Sequence, residues 1–446
     1  MPAVAALVLI GALSCGKTEV PTPANATDTA WVTSSALYEV FVQDFSPEGN
    51  LRGVMAGLDR IQESGANVIW LMPLHPRGIA GRKGTLGSPY AARDYRAIDS
   101  AFGTPADLKA LVDSAHGRGL KVIVDFVPNH TAVDNVWVTE HPDFYVRDSA
   151  GKVITPINNE GKPTDWTDVA ELDYGNPELR KAMIATMSWW LREYNLDGFR
   201  VDVAGFVPYD FWREAVPALR AAVPRRILLL AEWGDAEMNR VGYDLTYGWT
   251  SYAKLKQVWD SASASSFVQQ VRADMDSLPV PGGRLRFTTN HDETAWDAPP
   301  VQRFKSPAGA RAAFVAMALL PGRPLLYNGQ EVESPQKLGL FEREAVAWSQ
   351  PAADSARDFY ADVLALARTH PAILRGSYSA VETTAPAQII AYRRDSVIVL
   401  VNARDREARF TVTGYDLKGA RDLLGGKGFE SGAIVLPGYG FAVLAR

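Results

Sequence analysis

The chain has 446 residues, 47% of them apolar, and a formal charge of −5. That is enough apolar material for one large catalytic domain plus a smaller one. The mild acidity and the lack of any basic run or basic face argue against a nucleic-acid partner. Cys15 is the sole cysteine, which excludes an intrachain disulfide.

Residues 3–14 form an apolar stretch too short to span a bilayer, and it reads as the apolar region of a secretory signal. Ala12-Leu13-Ser14-Cys15 resembles a bacterial lipoprotein cleavage site, with Cys15 as the lipidated first residue. Residues 16–30, rich in Thr, Pro and Ala, then form a tether. The expectation is an exported protein, periplasmic or at the outer membrane or cell surface of a bacterium, with membrane attachment through Cys15. A plain cleaved signal is the alternative. The protein is expected to be a monomer.

From Ala36 to about His370, strand and helix signals alternate, the mark of βα units around a parallel sheet. The first strand is 37–41, followed by helical periodicity over 51–64. The second strand, 68–72, is uniformly apolar and so buried on both faces. A helix over 105–118 opens on Thr104 as cap and closes at Gly119. The third strand is 121–127. A helix over 177–194 has Asn176 before its proline, and the fourth strand is 197–203. A helix at 209–222 and the fifth strand at 226–231 follow. The sixth strand is 244–247, then come a helix at 263–276 and the seventh strand at 284–289. A helix at 306–319, the eighth strand at 324–327 and a closing helix at 354–368 complete the set. Eight such strands predict a TIM (β/α)8 barrel over 31–370.

One connection, 131–175, is too long for a simple loop and carries no strong helix signal. After Pro371 come short alternating runs at 388–393, 396–402, 408–412, 433–436 and 440–444, divided by Gly- and Asp-rich turns. These predict a C-terminal antiparallel β-sandwich over 371–446. Most of the 12 Trp and 16 Tyr are assigned to the core, although flat aromatic faces also suit sugar rings.

Four stretches end a strand with polar residues: Asp125-Phe126-Val127-Pro128-Asn129-His130, Gly198-Phe199-Arg200-Val201-Asp202, Leu230-Ala231-Glu232-Trp233 and Phe287-Thr288-Thr289-Asn290-His291-Asp292. An acidic residue at a strand end is, alone, most often a solvated group or a cap. Asp202, Glu232 and Asp292 at three separate strand ends instead converge on the face where barrel enzymes build their sites.

The order and wording of these stretches resemble the alpha-amylase family, glycoside hydrolase family 13. So do Arg82-Lys83-Gly84-Thr85-Leu86-Gly87-Ser88-Pro89-Tyr90, then Arg93-Asp94-Tyr95, and Leu326-Tyr327-Asn328-Gly329-Gln330-Glu331. The resemblance makes 131–175 a short inserted domain B. It implies retaining hydrolysis of α-1,4-glucosidic bonds in starch, glycogen or malto-oligosaccharides, with Asp202 as nucleophile and Glu232 as general acid/base. Glucanotransferase, α-1,6-glucosidase and cyclomaltodextrinase share the fold, and a non-catalytic glucan-binding protein is a reading from another class.

By the same resemblance, Asp292, His130 and His291 would bind hydroxyls of the cleaved sugar and Tyr90 would stack beneath it. Asn290 and Asp94 would hydrogen-bond nearby. Arg200, two residues before Asp202 and so on the same side of the strand, would hold that carboxylate ionised and join the substrate-binding set. Asn129 is a candidate ligand of a structural Ca2+, with Glu171 or Asp168 as partners, or else a buried amide that fixes the loop. Family amylases often carry Lys-His where this chain has Gly205-Phe206. No organic cofactor is expected. His75 could line the cleft or fix its loop, and Glu331 reads as a barrel-top salt bridge.

Overall fold

The computed structural model describes residues 29–279, 282–426 and 432–446. The signal and lipidation expectations, Cys15 included, fall on residues 1–28, outside the described residues.

The barrel begins with β1 (Leu37–Val40), β2 (Val68–Leu71) and β3 (Lys121–Phe126). Two short strands outside it follow, β4 (His130–Ala132) and β5 (Val169–Glu171), paired antiparallel with His130 opposite Glu171. The barrel resumes with β6 (Gly198–Val201), β7 (Leu228–Ala231), β8 (Leu245–Tyr247), β9 (Gly283–Arg286) and β10 (Arg323–Tyr327). Its eight strands close in the order β1-β2-β3-β6-β7-β8-β9-β10, all parallel. Their apolar runs are buried throughout, as parallel strands covered by helices require. Gly198 adopts φ +149, and a Cβ there would stand 1.9 Å from the Leu228 carbonyl oxygen. Only glycine lets β6 lie that close to β7.

The predicted caps form. The Thr104 hydroxyl accepts from the Asp107 N–H at 3.2 Å, and Asp107 accepts from the Thr104 N–H at 2.9 Å, a reciprocal box at the start of helix Pro105–Gly117. The Asn176 side chain accepts from Glu178 N–H at 2.9 Å at the head of Pro177–Glu193. Three expectations needed adjustment. The helix expected over 51–64 breaks into Leu51–Ala56 and Leu58–Glu63 at Gly57, whose Cα faces the Phe45 ring. The seventh strand stops at Arg286, since β8 beside it has only three residues. An unforeseen helix, Trp249–Asp260, follows β8. The domain B stretch carries one five-residue helix, Val136–Glu140, between β4 and β5.

Beyond the barrel lie β11 (Tyr378–Ala380), β12 (Ile389–Arg394), β13 (Val397–Asn402), β14 (Ala408–Phe410), β15 (Arg421–Asp422), β16 (Ile434–Leu436) and β17 (Phe441–Ala445). They form an antiparallel five-stranded sheet, β11-β12-β13-β17-β15, and a two-stranded sheet, β14-β16. Alternate residues divide the work. Ile390, Tyr392, Val397 and Val399 join the barrel core, while Ile389, Ile398 and Leu400 pack on Phe410, Ile434 and Leu436. Tyr392 donates its hydroxyl to Ala316 O at 3.2 Å, and Arg394 donates to Leu319 O at 3.0 Å, at the end of helix Pro307–Ala318. Among the described residues, no helix is long and apolar enough to cross a membrane.

Candidate active site

The C-terminal ends of β2, β3, β6, β7 and β8 meet around one buried cation. Asp125 and Arg200 are register partners on β3 and β6, so their side chains emerge together on the inside of the barrel. Arg200 Nη1 donates to Asp125 Oδ1 and to Asp202 Oδ1, each at 2.9 Å, and Nη2 lies 2.9 Å from Glu232 Oε1. Arg200 Nε donates to the Tyr247 hydroxyl at 3.2 Å. Trp70, Tyr90 and Tyr247 box the guanidinium, with ring centroids 5.2, 5.5 and 5.8 Å away. Arg200 is fully buried beneath the carboxylates. This corrects its place in the substrate-binding set: its partners are the acids and the rings around it, and it does not line the cleft.

Three carboxyls thus share one positive charge in a dry setting. Burial pushes both Asp202 and Glu232 up to about 7, against the downward pull of Arg200. Asp125 is raised to about 6 for the same reason, and its Oδ2 accepts from Trp70 Nε1 and the Tyr90 hydroxyl, both at 3.2 Å. A raised Glu232 suits the general-acid role that the resemblance implies for it. For Asp202 the expected grip of Arg200 is present, but desolvation outweighs it, because the guanidinium is divided among three anions. The pair therefore titrates together, not as one acid and one permanently ionised base.

Asp292 is the opposite case. It lies 3.4 Å from His291 Nε2, and that imidazolium holds it down at about 2 despite burial. His291 is itself pushed well up, because Asp292 and Glu39 outweigh its own desolvation. Nδ1 donates to Glu39 Oε1 at 2.5 Å, while Nε2 meets the Tyr90 hydroxyl at 2.6 Å. Tyr90 stacks on His291 at 5.3 Å and 27°, and lines the cleft beside Asp292. His291 sits one layer below.

The cleft, about 450 Å³, is lined by Tyr90, His130, Asp202, Val203, Glu232 and Asp292, with Lys83, Trp166, Asp168, Trp296 and Phe341 around its rim. Burial lowers His130 to about 4, leaving it neutral and able to donate or accept. Val203 adopts φ +33, a conformation that costs a β-branched residue about 1–3 kcal/mol. Its N–H donates to Glu232 Oε2 at 2.8 Å, so this strained backbone holds the Glu232 carboxyl in place.

Other predicted residues fall outside the cleft lining. Asn290 is buried behind it, its Oδ1 accepting from Glu293 N–H at 2.9 Å, at the head of the turn Glu293–Asp297. Asp94 accepts from Arg96 N–H within a local turn, at 2.8 Å. His75 is buried among Tyr95, Phe126 and Trp190 and fixes its loop. Among the described residues Glu331 has no salt-bridge partner; it is fully buried and accepts from the Tyr38 hydroxyl.

Glu171 lies opposite His130 at the end of the β4–β5 ribbon, and Asn129 immediately precedes β4. The Asn129 amide faces His130 Nδ1 at 3.4 Å, Glu171 accepts from Ile157 N–H at 3.3 Å, and Asp168 pairs with Lys83 at 3.1 Å. Burial raises Glu171 to about 8. The side chains at this point therefore offer Ca2+ one carboxylate and one amide, a thin donor set. Among the described residues, no group of three or more His, Cys, Asp or Glu is arranged to hold a metal.

The profile described as "Alpha amylase, catalytic domain" matches residues 23–358. The chain belongs to the alpha-amylase family. Its similarity to members of the family extends over most of its length. It is 25% identical to alpha-amylase 2 of Dictyoglomus thermophilum over 89% of this chain and 73% of that one. It is also 25% identical to a cyclomaltodextrinase of a Bacillus species, over 84% of this chain and 73% of that one. Among solved structures, an alpha-amylase from Lactobacillus plantarum superposes with a TM-score of 0.82 at 30% identity, covering 94% of this chain and all of the other. The protein is thus a glycosidase of the alpha-amylase family, glycoside hydrolase family 13.

Four alpha-amylase site residues carry no assigned role in the sequence reading: Asp125, Glu39, Trp70 and Tyr247. A signal for two of them exists. Leu37-Tyr38-Glu39-Val40 and Val122-Ile123-Val124-Asp125 each place an acid inside an apolar strand, where a charge must find a buried partner. Which partner it finds depends on register across the barrel, and that is invisible in one dimension.

Proposed function

We propose that the protein is a retaining hydrolase that cleaves α-1,4-glucosidic bonds in starch, glycogen or malto-oligosaccharides. The observation that carries this reading is the shared guanidinium: Asp202 and Glu232 are each bound to Arg200 at 2.9 Å and line one cleft with Asp292. With one proton between the pair, Glu232 protonates the glycosidic oxygen while Asp202 attacks the anomeric carbon. The C–O bond to the leaving sugar breaks and an ester to Asp202 forms. Glu232, now ionised, takes a proton from water, the hydroxyl attacks the same carbon, and Asp202 leaves as carboxylate. Asp292, ionised at all working pH values and backed by the His291 imidazolium, stabilises the cationic ring in the transition state of each step. His130 and the face of Tyr90 orient that ring.

No step runs through Ca2+; an ion at Asn129 and Glu171 would brace the β4–β5 ribbon. Export and a lipid anchor at Cys15 complete the proposal and would place the enzyme where external glucans are met.

The test is a digest of soluble starch and maltoheptaose, with product sizing and NMR of the first anomer released. Shorter α-anomeric products are expected. A β-anomer, or no cleavage, would overturn it. Cyclodextrin opening is the second reading, favoured by the similarity to the Bacillus cyclomaltodextrinase. β-Cyclodextrin consumed much faster than starch would decide for it.

A further inference from the structure

The cleft takes up one end of the barrel, and the other end holds a larger cavity of about 690 Å³. It lies at the N-terminal ends of β8, β9 and β10, with the short helix Ala30–Thr33 as one wall. Four arginines line it, Arg220, Arg226, Arg240 and Arg323, against a single acid, Asp244, among its described lining residues.

The local ion pairs leave positive charge over. Asp244 is divided between Arg220, at 3.2 Å, and Arg226. Arg240 meets Glu237 at 3.3 Å within one helical turn, an exposed pair that offsets little. Arg323 has no acidic partner among the described residues. Its Nε donates to Val32 O at 3.2 Å and its Nη1 to Gly322 O at 2.6 Å. Burial alone pulls it down to about 10, so it stays cationic at working pH. The Nε of Arg226 is buried without a hydrogen-bond partner among the described residues.

A buried cation without a counter-charge burdens the fold unless a ligand supplies one. Guanidinium forks match phosphate oxygens in pairs, and the cavity has the size of an ordinary ligand pocket. We propose that this cavity at the foot of the barrel is a second ligand site, which takes a phosphate ester on Arg226, Arg240 and Arg323. The proposal is independent of the hydrolase reading. Two sources supply such a group: a sugar phosphate in solution and the headgroup of an anionic phospholipid. The second is close at hand if Cys15 carries a lipid, because Thr29 and the helix after it line this cavity.

The test uses the full chain carrying Cys15→Ser, so that no acyl anchor contributes. Thermal melts and calorimetric titration with glucose 1-phosphate at physiological ionic strength read the soluble source. Co-sedimentation with phosphatidylglycerol vesicles, compared with phosphatidylcholine vesicles, reads the lipid source. The expected result is a Tm raised by several degrees with glucose 1-phosphate, or retention on phosphatidylglycerol alone. Arg323→Gln and Arg240→Gln should each weaken that binding about tenfold. Arg240 is exposed, so its variant keeps the fold even if that of Arg323 does not. Arg52→Gln, which loses only an exposed pair with Asp107, should bind as wild type. Binding that both cavity variants leave unchanged, or no binding of either probe, would overturn the site.

Discussion

Asp202→Asn should make the protein more stable while removing its activity. Asn keeps the shape and the contact to Arg200 but cannot ionise. In the folded protein the Asp202 carboxyl is lifted from 3.8 to about 7 by burial. At about 1.4 kcal/mol per pH unit, holding it charged above pH 7 costs the fold at most about 4 kcal/mol. The direction follows from proton counting. Between about pH 4 and pH 7 the folded state binds more protons than the unfolded chain, so this carboxyl erodes stability as pH rises. Below pH 4 it is neutral in both states and the advantage of Asn vanishes. Thermal melts of both proteins from pH 4 to pH 8 should diverge steadily up to about 7 and then run parallel, with the Asp202→Asn variant higher by several degrees. Starch hydrolysis by the variant should be undetectable. A variant less stable than wild type at pH 8 would show that the ion pair with Arg200 outweighs desolvation. The account of the shared guanidinium would then be wrong.

The remaining predictions use the same site. kcat/KM should follow a bell-shaped pH profile whose limbs belong to the Asp202–Glu232 pair, falling on the alkaline side near pH 7 as Glu232 loses its proton. A profile still rising at pH 9 would refute the assignment of the acid. Glu39→Gln removes one of the two anions that keep His291 protonated, so Asp292 should titrate higher and kcat should drop about tenfold, with KM moving less. Equal activity would mean that Asp292 alone suffices. Dialysis against EDTA should leave kcat intact, and any Tm gain with added calcium should disappear in Glu171→Gln. A gain that survives that substitution would move the ion elsewhere.

The barrel was legible because its signals are local. Apolar β-branched runs such as 68–72, a cap such as Thr104 and the polar strand ends all sit within a few residues. The carboxylates could be read for the same reason, since each ends its own strand. What could not be read depends on neighbours distant in sequence. Arg200 looks like a partner of Asp202 from spacing alone, yet Asp125 and Glu232 share it because β3 and β7 flank β6. Glu331 reads from the sequence as a barrel-top salt bridge, yet it lies under Tyr38 from the first strand. The split at Gly57 answers to Phe45.

The C-terminal sheet carries a consequence for how the molecule comes apart. Helix Pro307–Ala318 is buried on nearly every side, and its last carbonyls are tied by Tyr392 and Arg394 across the boundary. Proteolysis or truncation after residue 377 would strip the cover from that helix and leave Ala316 and Leu319 carbonyls without donors. The two halves should therefore melt in a single cooperative transition, and a barrel expressed without its sheet should aggregate before it could be assayed.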